Sequence, residues 1–596
     1  MLWLPKSFVE REQQSRATQQ PFVYLRVYLG WHELFSAKPS WEDVYERLRQ
    51  YTLAQVLGAL GRVSAILDQF DRKFAQGQKV ICDGLFGERS PKVWKAVVEW
   101  IRKDKAGGGP QTEPALFHDL QLISCAKAAF RSIDPGKLEE FESFEPLAEA
   151  LLMINSLQDS VVGSNPGIDP NTLEGQRIWH QHFIANGLFH HGETEVHALP
   201  RFYDLYLTDK PHLREHPSYV DLPQRIRDLT GLDPDMLWFV LFALMAHWRN
   251  IEPDSIAQGV WIMDRTEYFR TMTFSKDDID NFFRIVSLNA DQMTEQVFRF
   301  YRDELKPFHI LPFARFPLVT MADKVFCVSV KLLKQKLTNG IHHLFLDVSR
   351  FSEGERKSYL DYMGAVFEDY VRRLLDRAFP PMSNRVLYPE DLISLIGSGK
   401  SCDFAILYGD SIVLLETKAT RFSLAARTEG SWQEYERQFN DIFIEGGAQI
   451  SSTIEAIEGG KLLELGVDPR RIQHYFPVIV TLEDLPMNGM IYKKVRDDLF
   501  QKRFLQHPKT RPLQAIDVGD LEFLEIGLNS GSNLRDILYD KTLSPNSRDD
   551  SMGNYLIAKQ EPFIMGPVND YLGKLFTEMG DRALNTFKVK RLGGQE

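Results

Sequence analysis

Cysteine is scarce in this chain. Its four residues, Cys82, Cys125, Cys327 and Cys402, are scattered through 596 positions with no CxxC pair. That argues against a disulfide scaffold and a structural zinc, and fits a reducing, cytoplasmic setting. Long apolar runs are missing too. The most apolar stretch, Met236 to Trp248, is shorter than the about 20 residues that cross a bilayer. Asp233-Pro234 ahead of it supply a helix start, so it reads as a buried core helix, and no membrane association is expected. The beginning, Met1-Leu-Trp-Leu-Pro-Lys6, runs into charged sequence without the apolar core of a signal peptide. Positive charge is in deficit. A net charge of −12 gives no global pull toward nucleic acid, so any such partner needs a local basic surface. Repeats and low-complexity tracts are also absent.

What is present is the composition of a folded protein, 43% hydrophobic and 26% charged, in a chain long enough for two or three domains. Residues 1–315 read as a mainly helical region with a break near 160–175. Apolar residues keep helical spacing from Trp41 to Phe70 and from Phe141 to Asp159, whereas Lys105–Pro114 and Gly163–Thr172 have loop composition. Phe316 to Val330 predicts a hairpin turning at Ala322-Asp323, within a 316–350 hairpin and linker. Residues 351–530 then alternate. A long amphipathic helix is expected over Glu353–Ala378, followed by a hairpin, helices over Trp432–Ile457, a strand at Tyr475–Leu482 and another within Leu513–Ile526. This predicts an α/β domain, a central mixed sheet flanked by helices, behind a helical one, with a helical extension at 531–596.

Between Ser394 and Lys418 the stretch SLIGSGKSCDFAILYGDSIVLLETK holds two candidate sites. Gly399-Lys400-Ser401 echo a phosphate-binding loop, but Ser394 stands where its first glycine belongs. Such a loop needs a following helix N-terminus, and CDFAIL is strand sequence, so no nucleotide is expected there. The second candidate is the hairpin. A turn at Gly409-Asp410 places Asp403 across from Glu416, with Lys418 on the same face because side chains alternate. Two carboxylates at the end of a buried sheet require compensation, which a divalent cation supplies.

Asp403, then Glu416-x-Lys418, at the end of such a hairpin resembles the PD-(D/E)XK nuclease superfamily over roughly residues 355–485. In that superfamily a glutamate on the preceding helix completes the site. Here Leu360, Met363, Gly364, Phe367, Val371, Leu374, Leu375 and Ala378 form an apolar stripe with Glu368 on its rim. Gln449 is the best match to a further glutamine carried by many members, and Gln438 the second. Cys402 replaces the usual proline before Asp403. The resemblance implies Mg²⁺, with Mn²⁺ as substitute, held by Asp403, Glu416, the Thr417 carbonyl and Glu368. It also implies phosphodiester hydrolysis, with Lys418 stabilising charge and Gln449 orienting it. The expected function is a nuclease acting on nucleic acid, DNA favoured over RNA. The helical region in front resembles bacterial restriction and anti-phage defence effectors. The alternative is an inactive nucleic-acid-binding or scaffold protein on the same fold, and a homo-oligomer is compatible with either.

Backbone contacts require cations. Arg421 and Arg427 follow the Glu-x-Lys motif, and Lys493 to Arg511 carries seven Lys/Arg against two Asp, among them Lys493, Lys494, Lys502 and Arg503. His180, His182, His190, His191 and His197, with Glu193 and Glu195, match neither HExxH nor a deaminase pattern and read as loop and packing residues. A fragment starting near Phe345 is expected to fold alone and keep its metal site.

Overall fold

The structure is a computed structural model. It describes residues 3–4, 25–70, 73–106, 112–134, 143–162, 172, 175, 195–249, 256, 261–262, 264–269, 274–300, 309–338, 340–379, 385–397, 401–428, 431–485, 487–559, 561 and 568–592.

The first part is mainly helical. Trp41–Leu48 and Leu53–Gln69 are separate helices because Ser40 and Thr52 each cap a start, Thr52 Oγ1 accepting from the Gln55 N–H. With helices Phe74–Phe86, Asp119–Ser132 and Glu145–Val162 they enclose a core around Leu60, Ile123 and Leu151. The region also holds strands that helical periodicity did not announce. Trp3–Leu4, Leu25–Tyr28 and Thr112–Ala115 form a parallel sheet, so part of the expected 105–114 loop is a strand. The expected hairpin is present as Leu318–Met321 and Lys324–Cys327, turning at Ala322-Asp323 with Ala322 at φ 51°. It sits inside a four-stranded mixed sheet. Helix Pro234–Arg249 buries Trp238, Leu241, Leu244 and Trp248. No single helix among the described residues is long and apolar enough to cross a membrane.

The α/β part is built on a five-stranded sheet of β1 (Arg385–Leu387), β2 (Phe404–Tyr408), β3 (Ser411–Lys418), β4 (His474–Thr481) and β5 (Gln514–Asp517), ordered β5-β4-β3-β2-β1. β1, β2 and β3 pair antiparallel, while β3, β4 and β5 run parallel. Strands β3 and β4 are apolar on both faces because helices cover both sides, as parallel pairing requires. Phe404, Ile406, Val413, Leu415, Val478 and Val480 face helices α1 (Glu353–Ala378) and α4 (Val518–Asn529). Ala405, Ile412, Leu414 and Ile479 face α2 (Glu445–Glu458) and α3 (Gly489–Gln501).

Helix α1 starts at a capping box, with Ser352 Oγ accepting from the Glu355 N–H and Glu355 returning the bond to the Ser352 N–H. It stops at Ala378, just before Pro380-Pro381. Its buried stripe runs through Tyr359, Met363, Phe367, Tyr370 and Leu374, while Leu360 is 46% exposed, so the stripe is rotated from the expected one at its first turn.

The boundary at 315 does not separate two cores. Many residues between Leu199 and Phe345 share one continuous core with α1, the sheet and the C-terminal helices, while others in that span, such as Met293, Val297, Phe313 and Leu332, join the first core. Charged groups stitch the same seam. Arg201 Nε donates to Glu522 on α4 at 2.7 Å, and Tyr370 Oη donates to the same carboxylate at 2.6 Å. Arg373 of α1 binds Asp204 at 2.9 Å.

Candidate active site

The geometry starts from a turn. With Gly409-Asp410 at the tip, Tyr408 pairs with Ser411 and the ladder continues to Phe404 opposite Leu415. The paired ladder ends there: the Asp403 N–H donates to the same Leu415 carbonyl at 3.1 Å, as in a β-bulge, so Asp403 is not in register opposite Glu416 as expected, although its charge still acts on that carboxyl. Glu416 and Lys418 both project toward α2. A Cβ on Gly446 would lie 3.4 Å from Glu416 Cγ and 3.3 Å from Lys418 Cε.

Lys418 Nζ donates to Glu416 Oε1 at 2.7 Å and to Gln449 Oε1 at 2.8 Å. Helix α2 is fixed against the hairpin by a second link. Thr453 Oγ1 accepts from the Cys402 N–H at 2.8 Å and donates to the Gln449 carbonyl at 2.9 Å. Cys402, in the place of a proline, thus supplies an N–H that proline lacks. Asp403 Oδ2 accepts from the Thr417 N–H at 2.7 Å and from Thr417 Oγ1 at 2.5 Å. Thr417, expected as a carbonyl ligand, therefore meets Asp403 through its donors.

Burial makes these acids reluctant to ionise. Glu416 is 2% exposed. Its pKa is pushed up to about 8 by desolvation first and by the Asp403 charge second, with Lys418 opposing. Glu368, half-buried on α1 across the sheet, is pushed up to about 7 by desolvation and then by Asp403. Asp403 is itself raised by desolvation, against the Thr417 bonds and the Lys418 charge. The Asp403 charge acts on Glu368, and Glu368 in turn on Glu416, although α1 lies on the opposite layer, so α1 brings its carboxyl toward the same end of the sheet.

Among the described residues no group of three or more His, Cys, Asp or Glu stands in a ready ligand array. One oxygen of Glu416 is turned to Lys418 and one of Asp403 to Thr417. The donor set nevertheless fits a hard cation, which takes carboxylate oxygens. Among the described residues Glu416 Oε2 is buried with no hydrogen-bond partner, a costly state that a cation relieves.

The cations expected to hold a phosphate backbone are placed differently. Arg421 is buried, donating to Tyr206 Oη at 2.8 Å and to Glu483 at 3.2 Å, and buried Arg427 binds the other oxygen of Glu483. Both tie the chain after β3 to the core and neither reaches solvent. Lys493 and Lys494 pair with Asp497 at 2.6 Å and Asp498 at 2.7 Å, one helical turn along α3. Lys502 and Arg503 are exposed at the end of α3. Gln438 accepts from the Ser423 N–H at 2.9 Å and so braces a loop. His180, His182, His190, His191 and Glu193 lie outside the described residues, as do Gly399 and Lys400. His197 is buried and accepts from the Asn569 N–H at 3.2 Å, a packing role. Ser401 leads into β2, with no helix after it.

Sequence reasoning missed Gly446, Thr453 and Glu483. The first had a signal, since two adjacent glycines inside a helix cost about 1 kcal/mol each against alanine and imply close approach. No family model, no curated protein and no solved structure matches this chain.

Proposed function

We propose that this chain is a metal-dependent nuclease of the PD-(D/E)XK kind, hydrolysing phosphodiester bonds of nucleic acid, DNA before RNA. The observation that carries the reading is the lysine held at 2.7 Å from Glu416 and 2.8 Å from Gln449, beside Asp403 and with Glu368 brought to the same sheet end. A binding protein gains nothing from burying clustered acids where phosphates would approach. Asp403, Glu416 and Glu368 would hold the cation, which when bound polarises the phosphate and acidifies a water. Lys418, locked by two acceptors, sets a positive charge where negative charge develops on the phosphate. Gln449 holds the ammonium in place from α2.

The second reading, a nucleic-acid-binding scaffold, draws on the contact that closes Glu416 Oε1 onto Lys418. One experiment separates the two. Purified full-length protein is incubated with plasmid, single-stranded DNA and RNA, each with Mg²⁺, Mn²⁺ or EDTA. Metal-dependent cleavage abolished in Asp403→Ala is the expected result. Binding without cleavage in every metal favours the scaffold.

A further inference from the structure

Away from the acids, the end of α3 combines an exposed ring with exposed charge. Phe500 is 71% exposed, one residue after Leu499, which is buried. Lys502 and Arg503 follow at the surface, and neither has an ion pair among the described residues. The cations earlier on α3, Lys493 and Lys494, are neutralised by Asp497 and Asp498. The helix end is therefore the part of α3 that carries net positive charge.

The backbone there is held in an unusual form. The Phe504 N–H donates to the Leu499 carbonyl at 2.9 Å and the Arg503 N–H to the Phe500 carbonyl at 3.0 Å. This is the two-bond helix stop whose left-handed residue is ordinarily glycine, because a side chain there is strained. Here it is Arg503 at φ 62°, and Leu505 at φ 54° is a second left-handed residue two positions on. The loop is stapled in this form. Gln506 Nε2 donates to the Phe500 carbonyl at 2.9 Å, and the Leu505 N–H donates to Ser451 Oγ at 3.1 Å. Leu499 packs on Gly447, where a Cβ would come within 2.5 Å of Leu499 Cδ2. Ser451 and Gly447 belong to α2, the helix that carries Gln449. Ring and cations thus stand on a rigid base, one helix removed from Lys418.

We infer that Phe500, Lys502 and Arg503 form a stacking platform for a single-stranded nucleic acid. The ring offers a face to one unpaired base, and the two cations take the flanking phosphates. A duplex keeps its bases stacked on each other and has none to offer the ring. Charge complementarity selects a polyanion, and the exposed aromatic beside it selects one with free bases. The inference rests on the nuclease reading for what the bound strand is used for, but the binding itself is tested separately.

The test is fluorescence anisotropy on full-length protein in EDTA, with a single-stranded DNA, a single-stranded RNA and a DNA duplex of the same sequence. Phe500→Ala should weaken single-strand binding by about 5- to 100-fold and leave duplex binding within about twofold, while Phe500→Tyr should keep it. Arg503→Gly suits the left-handed backbone, so its melting temperature should be equal or higher. It should still bind single strands more weakly, with the slope of log affinity against log salt reduced by about 0.7. Wild-type single-strand affinity in Phe500→Ala overturns the platform, and so does equal loss on duplex. A changed oligomeric state of Phe500→Ala in light scattering overturns it too, by making the patch a contact between copies. If no metal supports cleavage but these losses appear, the platform stands and the nuclease reading falls. If cleavage needs Asp403 but Phe500→Ala binds normally, the reverse holds.

Discussion

Lys418 and Gln449, 31 residues apart, meet at 2.8 Å, and the same ammonium reaches Glu416 at 2.7 Å. The strand sets the lysine beside the acid, and the helix decides where its charge points. Removing each partner should have a different effect. Lys418→Met should lower cleavage by at least about 10²-fold, the size of losing one charge-stabilising group. Gln449→Ala should cost about 10-fold in turnover through misplacement of the lysine, while Mn²⁺ affinity by calorimetry stays near wild type. Equal cleavage rates in wild type and Lys418→Met would remove the lysine from the chemistry.

The acids predict an inverted pH dependence. Burial pushes the Glu416 carboxyl up to about 8 and the Glu368 carboxyl up to about 7, above the roughly 4.3 of an unfolded glutamate. Between those values the folded state holds protons that the unfolded state has lost. Metal-free protein should therefore lose stability as pH rises from about 5 to about 8. A cation favours the ionised acids, so the gain in melting temperature on adding Mn²⁺ should grow over the same window. Thermal unfolding in EDTA and in Mn²⁺ at several pH values checks this. A flat EDTA profile, or equal Mn²⁺ gains at both ends, counts against it. Glu416→Gln should flatten both curves.

The hairpin was legible because its information is local. The Gly409-Asp410 turn sets the register, and the ladder follows as expected from Tyr408–Ser411 to Phe404–Leu415, ending one step short of the expected Asp403–Glu416 pair. Helix α1 was legible from its capping box and its stop before Pro380-Pro381, and Glu368 from its place beside the apolar stripe. The arginines were misread because what buries them is remote. Arg421 bonds Tyr206, 215 residues earlier, and Glu483, 62 residues later. A cation in a polar stretch looks the same whether water or a distant carboxylate receives it. The Thr112–Ala115 strand hid for a similar reason, since its partner Leu25–Tyr28 is far away and its own sequence is short and polar. The shared core from Leu199 onward was invisible to composition, which shows only where apolar residues lie along the chain.

Arg421 and Glu483 form a buried pair with Arg427 beside them, so their loss should appear in stability. Arg421→Ala should destabilise by about 3–5 kcal/mol, because it strips a buried carboxylate of a partner. Glu483→Ala should do the same to two guanidinium groups. The double variant should be less destabilised than the sum of the singles, since each single already breaks the shared contact. Denaturant unfolding of the three variants measures this. Strict additivity would mean that the side chains act independently. Nucleic-acid affinity of folded Arg421→Ala should match wild type, which a surface phosphate contact would not allow.

The seam between residues 195–345 and the sheet decides whether the catalytic part stands alone. A fragment beginning at Phe345 removes Arg201 from Glu522, which is fully buried, and Lys210 and Arg373 can no longer share Asp204. It also uncovers the apolar residues of α1 that pack on Leu199–Ile341. A buried carboxylate left without its arginine costs several kcal/mol, and each exposed large side chain adds about 1.5–3 kcal/mol. Those losses approach the whole stability of an ordinary domain, about 5–15 kcal/mol. The expectation that residues from 345 onward fold alone is therefore reversed. That fragment should be insoluble or lack a cooperative melting transition, whereas one beginning at residue 195 keeps Arg201, Asp204 and Tyr206 and should be the better behaved. Near-UV circular dichroism and thermal melts of the two fragments provide the comparison. A cooperative transition in the 345 fragment, with Mn²⁺ binding lost in its Asp403→Ala form, would show that the seam is dispensable and that the site is self-contained.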